Sequence, residues 1–155
     1  MQETIIDKDD AIVYIYREWM KKEEALLLFE KIKGEIPWEQ GTSLYGHDTP
    51  RLTYHLGDPG IYQDYSGKKH VANDWNKPGV IGEIKSMRDT LSGLTSLPFN
   101  SVLLNYYRDG KDSIYPHSDR EVSPRNPTVI GLSLGGTRLF HFRRIDKKEG
   151  LISTK

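Results

Sequence analysis

The chain has 155 residues, 36% of them apolar and 10% aromatic, with 22 basic against 22 acidic side chains and no cysteine. That length suits one domain, residues 1–155, with a modest core, and the zero formal charge gives no global nucleic-acid signal, so any such surface has to be a local patch. The lack of Cys excludes disulfides and thiolate metal sites and favours an intracellular setting; no apolar run approaches the roughly 20 residues of a membrane span, and the N-terminus lacks a signal-peptide core.

In chain order, Ala11 to Tyr16 is a short apolar run that predicts an early strand or entry segment. In the following KKEEALLLFEKIKGEIPW, Ala25, Leu28, Phe29 and Ile32 recur at helical spacing, acids come early, and Gly34 sits where a helix would end. From Pro37 to Val80 the chain is dense in Gly, Pro, Asp and Tyr. This predicts long loops with one strand, RLTYHLG, and loops of that length commonly serve as lids or binding segments. IGEIKSMRDTLSGL places Ile81, Ile84, Met87, Leu91 and Leu94 on one face of a second helix. SVLLNYY, PTVIGLSLG and TRLFHFRR then give short β-branched or aromatic runs between Gly, Pro and Asp, and the closing EGLISTK has the pattern of a further strand. Helices and loops first, then about four or five strands, point to α+β or an all-β core with helical buttresses, not a doubly wound parallel sheet.

The chemistry concentrates in NSVLLNYYRDGKDSIYPHSDRE, Asn100 to Glu121. His117 and Asp119 form an H-x-D pair. On an extended segment residues i and i+2 point to the same side, so both can reach one metal. A non-haem iron(II) site uses two His and one carboxylate and leaves positions open for oxygen and a co-substrate. The bland alternative for the bare tripeptide is a polar surface turn. Asn105 and Tyr107 are also two apart, at the end of an apolar strand; an amide and a phenol there suit a carboxylate co-substrate, or simply end the strand and cover the core.

FNSVLLNYYRDGKDSIYPHSDRE resembles the core signature of the AlkB-like family, the iron(II)- and 2-oxoglutarate-dependent nucleic-acid dealkylases. TPRLTYHLGD, Thr49 to Asp58, and PTVIGLSLGGTRLFHFRR resemble two further segments of that family, in the same order. The resemblance implies a double-stranded β-helix (jelly-roll) core with N-terminal buttressing helices. It implies His117 and Asp119 as iron ligands, Asn105 and Tyr107 as contacts of 2-oxoglutarate, and Fe(II), 2-oxoglutarate and O2 as the reacting set. Glu121 would lie at the edge of a base pocket, with Arg51, Arg108, Arg138 and Arg143 on the substrate side. The implied reaction hydroxylates an N-methyl group of an alkylated base and releases formaldehyde and succinate. Tyr45, Tyr54, Tyr62 and Tyr65 could supply stacking surface, or pack. The expected partner is nucleic acid, DNA or RNA, bound by a monomer in the nucleus or cytoplasm.

The chain also departs from the family pattern. A third ligand His and the arginine-bearing R-x-N-x-T-x-R segment are not found; His141, in RLFHFRR, occupies a strand position without a ligand role. Leu56 stands where the family has an aromatic residue, and Pro116 where Trp is common. A jelly roll needs about eight strands, so the expectation is that the chain carries the N-terminal and central parts of the pattern and is incomplete at its C-terminus. Two other readings stay open: a catalytically incomplete AlkB-like module that binds nucleic acid, and a dioxygenase acting on a protein or lipid. The basic cluster Arg138, Arg143, Arg144, Lys147 and Lys148 favours a phosphate backbone over a lipid, with Asp146 and Glu149 opposing.

Overall fold

A computed structural model of the chain describes residues 2–8, 11–43, 45–65, 68–119, 128–143 and 152–154. Two compact units emerge from the contacts. One comprises Met1–Glu30 and Ile130–Lys155, the other Lys31–Val129. Among the described residues there are ten strands and two helices.

In the first unit β1 (Gln2–Lys8) and β2 (Ala11–Tyr16) form an antiparallel pair, Gln2 opposite Tyr16 and Lys8 opposite Ala11. β2 has the bounds its apolar run predicts. β9 (Phe140–Phe142) pairs antiparallel with β10 (Ile152–Thr154), so the closing segment is indeed a strand. PTVIGLSLG was expected to be a strand too, but residues 128–134 form none. Among the described strands none pairs with it, so it has no ladder to join. Helix α1 (Lys22–Glu35) begins in this unit and runs into the second. Its predicted face is the less exposed one, with Leu28 buried and Ala25, Phe29 and Ile32 half-buried. The helix continues through Gly34. Pro37 stops it, because the residue before a proline is pushed out of helical conformation.

The second unit contains the site-bearing sheet. Here the expectation of long loops fails: residues 37–80 hold β3 (Glu39–Thr42), β4 (Asp48–Gly57), β5 (Tyr62–Tyr65), β6 (Lys68–Val71) and β7 (Asn73–Asp74). Apart from β4 these strands are short and polar. They are held by backbone ladders, so they lack the apolar alternation that betrays a strand. β4 is the organising strand. Its antiparallel partner along one edge is β8 (Ser101–Tyr106), from Leu52 opposite Tyr106 to Gly57 opposite Ser101. The other edge is shared by β3, near its start, and by a parallel contact with β7 at its end. β5 and β6 make a separate hairpin.

Period-two alternation gives the sheet two different faces. Leu52, Tyr54 and Leu56 alternate with Arg51, Thr53, His55 and Gly57. The apolar face carries the core: Tyr54 and Leu56 pack with Ile36, Trp75, Val80 and Ile84, and Val102 and Leu104 of β8 join them. Helix α2 (Val80–Thr95) covers this face through Ile84, with Ile81 beside it, as its periodicity predicts, and through Val80, which the predicted face did not include, while Leu94 at its end stays exposed. The GD of the TPRLTYHLGD segment serves the fold. Gly57 lets β7 and β8 close on β4, since a Cβ there would stand 2.9 Å from Ala72 Cβ and 3.2 Å from both Asn100 O and Ser101 Cβ. Asp58 Oδ1 accepts the Trp75 indole N–H at 3.0 Å. The Arg88 guanidinium of α2 lies 4.1 Å over the Trp75 ring and donates to Phe99 O at 2.7 Å.

Candidate active site

The polar face of the β4–β8 ladder and the loop leaving β8 hold the predicted site residues of the second unit. Asn105 stands opposite Thr53, and Arg51 is its diagonal neighbour across the ladder. Arg51 Nε donates to Asn105 Oδ1 at 2.8 Å. Tyr107, expected to share a strand face with Asn105, lies one residue past the end of β8 and is half-buried.

The loop after β8 is fixed before it reaches His117. The Arg108 guanidinium meets Asp112 through Nε–Oδ2 at 2.7 Å and Nη2–Oδ1 at 2.9 Å, and the Arg108 backbone N–H also donates to Asp112 Oδ2. Asp112 is buried, and it raises the Arg108 pKa above the usual guanidinium value by hydrogen bonding first and by charge second. Ser113 N–H donates to Pro50 O, which ties the loop to the start of β4. The expected substrate contact of Arg108 would have to compete with this bidentate pair.

The loop then brings the two candidate ligands together. His117 Nε2 and Asp119 Oδ1 are 3.3 Å apart, both side chains half exposed. His117 Nδ1 lies 2.7 Å from Tyr115 O. A carbonyl can only accept, so Nδ1 carries a proton, and Nε2, facing Asp119, is the nitrogen that a metal would take in place of a proton. Two donors bound at about 2.1 Å and at right angles to one octahedral ion stand about 3.0 Å apart. The observed separation fits that requirement, so this pair suits two adjacent positions of one ion. Among the described residues no group of three His, Asp or Glu side chains could hold a metal.

Other expected residues distribute as follows. Glu121 lies outside the described residues, as do Arg144, Lys147 and Lys148. Arg138 and Arg143 flank β9 in the first unit and are exposed. His141 is exposed on β9, in register with Ser153. Tyr54 belongs to the core, at 5% exposure, and so is no stacking surface; Tyr45 is open, and Tyr62 is half covered by Lys69, whose Nζ sits 3.6 Å over the ring. Leu56 is fully buried. That position points into hydrocarbon here, which is why an aromatic platform for a base is not formed by it.

Sequence reasoning missed His55. It stands on the polar face, opposite Leu103, buried, and among the described residues neither ring nitrogen has a hydrogen-bond partner. Burial lowers its pKa. The His70 backbone opposes this, and the His70 ring adds to the lowering. The signal was available: in RLTYHLG, His55 falls in phase with Arg51 and Thr53.

A family model described as the 2OG-Fe(II) oxygenase superfamily matches residues 12–154. The chain belongs to that superfamily, and its sequence is AlkB-like within it. It is 33% identical to human DNA oxidative demethylase ALKBH2 over 135 residues, covering 82% of this chain and 49% of that protein. It is 34% identical to human alpha-ketoglutarate-dependent dioxygenase alkB homolog 3 over 136 residues, covering 85% of this chain and 46% of that protein. Arabidopsis thaliana DNA oxidative demethylase ALKBH2 is 26% identical over 144 residues. The chain spans about half the length of the curated relatives it matches.

Proposed function

We propose that this chain is part of an Fe(II)- and 2-oxoglutarate-dependent dioxygenase that removes alkyl groups from nucleic-acid bases. The observation that carries the reading is the approach of His117 Nε2 to Asp119 Oδ1, in a chain that matches the 2OG-Fe(II) oxygenase superfamily and is similar to a DNA oxidative demethylase. The rest follows as one assignment: a single AlkB-like domain on a jelly-roll core, acting as a monomer in the nucleus or cytoplasm.

When bound, iron(II) with 2-oxoglutarate and O2 supplies the oxidising chemistry that hydroxylates an N-methyl group, 2-oxoglutarate leaving as succinate and CO2. The chain's own groups do the positioning. His117 and Asp119 hold the ion from one side, with the Tyr115 carbonyl fixing the imidazole tautomer. Asn105 donates to the co-substrate, with Tyr107 beside it. The Arg108–Asp112 pair sets the path of the loop that delivers both ligands. Glu121, Arg138 and Arg143 belong to the substrate side. A methyl on the pairing edge of a base is out of reach inside a duplex, so the substrate is a flipped or unpaired nucleotide, and a damaged base costs less to unstack.

The test is incubation of the protein with Fe(II), 2-oxoglutarate, O2 and an oligonucleotide carrying 1-methyladenine or 3-methylcytosine. The expected result is formaldehyde and succinate in equal amounts. Succinate without formaldehyde would move the substrate to another class. Metal uptake without turnover of either would leave a binding module.

A further inference from the structure

Asn105 has an unexpected neighbour. Its side-chain oxygen accepts the Arg51 Nε–H at 2.8 Å, across 54 residues of sequence. A guanidinium offers only donors. The amide atom that meets it must therefore be the oxygen, and the Asn105 NH2 is turned away from Arg51 with both of its hydrogens to donate. Arg51 is itself 6% exposed. Among the described residues no carboxylate pairs with it; Asn105 is its one side-chain partner. A buried cation without a counter-ion is costly, and this one lies on the sheet's polar face beside an amide whose remaining capacity is to donate.

We infer that Arg51 is a positioning residue for the co-substrate: it locks the Asn105 carboxamide with its N–H donors toward the bound carboxylate and places a positive charge next to that anion. The inference rests on the reading of Asn105 as a 2-oxoglutarate contact. It replaces the expected substrate-side role of Arg51 and explains why the residue is buried. A tether between β4 and β8 alone would not need a positive charge, which is costly to bury there.

The experiment titrates 2-oxoglutarate into the Mn(II)-loaded chain, for wild type, Arg51→Gln, Arg51→Lys and Asn105→Ala, with melting temperature and the Asn105 side-chain amide signals in a nitrogen-15 spectrum recorded alongside. Arg51→Gln and Asn105→Ala should each weaken 2-oxoglutarate by roughly tenfold or more, with Mn(II) affinity unchanged. Arg51→Lys keeps the charge and hydrogen-bond donors but not the planar fork, so it should recover part of the loss. The Asn105 amide signals should shift in Arg51→Gln. Normal 2-oxoglutarate affinity in Arg51→Gln, whatever its melting temperature, overturns the inference while an Asn105→Ala defect leaves the site reading intact. If Arg51→Gln fails to fold, the lysine variant decides: wild-type affinity with freely rotating Asn105 amide signals overturns the inference. Asn105→Ala binding like wild type, or a wild type that takes up no 2-oxoglutarate, removes the site reading and the inference with it.

Discussion

Leu56 and His55 are adjacent in sequence and face opposite ways, and the difference governs what each can do. Leu56 disappears into the core, while His55 is buried on the polar face with no hydrogen-bond partner for either ring nitrogen among the described residues. Burial lowers the His55 pKa below its ordinary value of 6.5. The unfolded chain therefore binds more protons between that lowered pKa and 6.5. Stability should decline as pH falls through about 6.5 and level off below the folded pKa; above about 6.5 the residue is neutral in both states and adds no pH dependence. Urea unfolding of wild type and His55→Leu between about pH 7.5 and 5 checks this. The variant should lose part of the acid-side slope, and equal slopes would mean that His55 titrates normally. At this scale the sequence reveals pairs close along the chain. The i, i+2 spacing of His117 and Asp119 was legible because a local segment carries both. The Arg51–Asn105 bond was not, because strand register decides it, and neither was the Arg108–Asp112 clamp, which forms in a non-helical turn where no periodicity announces it.

Among the elements, those with a continuous apolar stripe were legible: β2, β4, β8 and both helices. β3, β5, β6 and β7 were hidden by sequences such as EQGT, YQDY and KKHV, which lack an apolar alternation and take their order from backbone pairing. The glycine that ends β4 is a tight joint of the sheet, with β7 on one edge and β8 on the other. Gly57→Ala should cost about 1–3 kcal/mol, since the new methyl would fall 2.9 Å from Ala72 Cβ and 3.2 Å from Asn100 O. Chemical denaturation measures it. A change within a few tenths of a kcal/mol would show that β7 and β8 can give way without loss.

For the molecule as a whole, formal charge is balanced, 22 against 22, so binding of a polyanion has to come from local groups such as Arg138 and Arg143. Among the described residues no helix is long and apolar enough to cross a membrane. Family membership was legible from three ordered segments, whereas the strand-rich middle of the chain was not. The proposed function then depends on one junction, the loop that carries His117 and Asp119 from the end of β8. Calorimetric titration of Mn(II), a redox-inert stand-in for Fe(II), into wild type, His117→Ala and Asp119→Ala tests that junction most directly. Both side chains are half exposed, so each variant should keep the wild-type melting temperature while the metal site seen in wild type disappears. Undiminished Mn(II) uptake in His117→Ala would contradict the account.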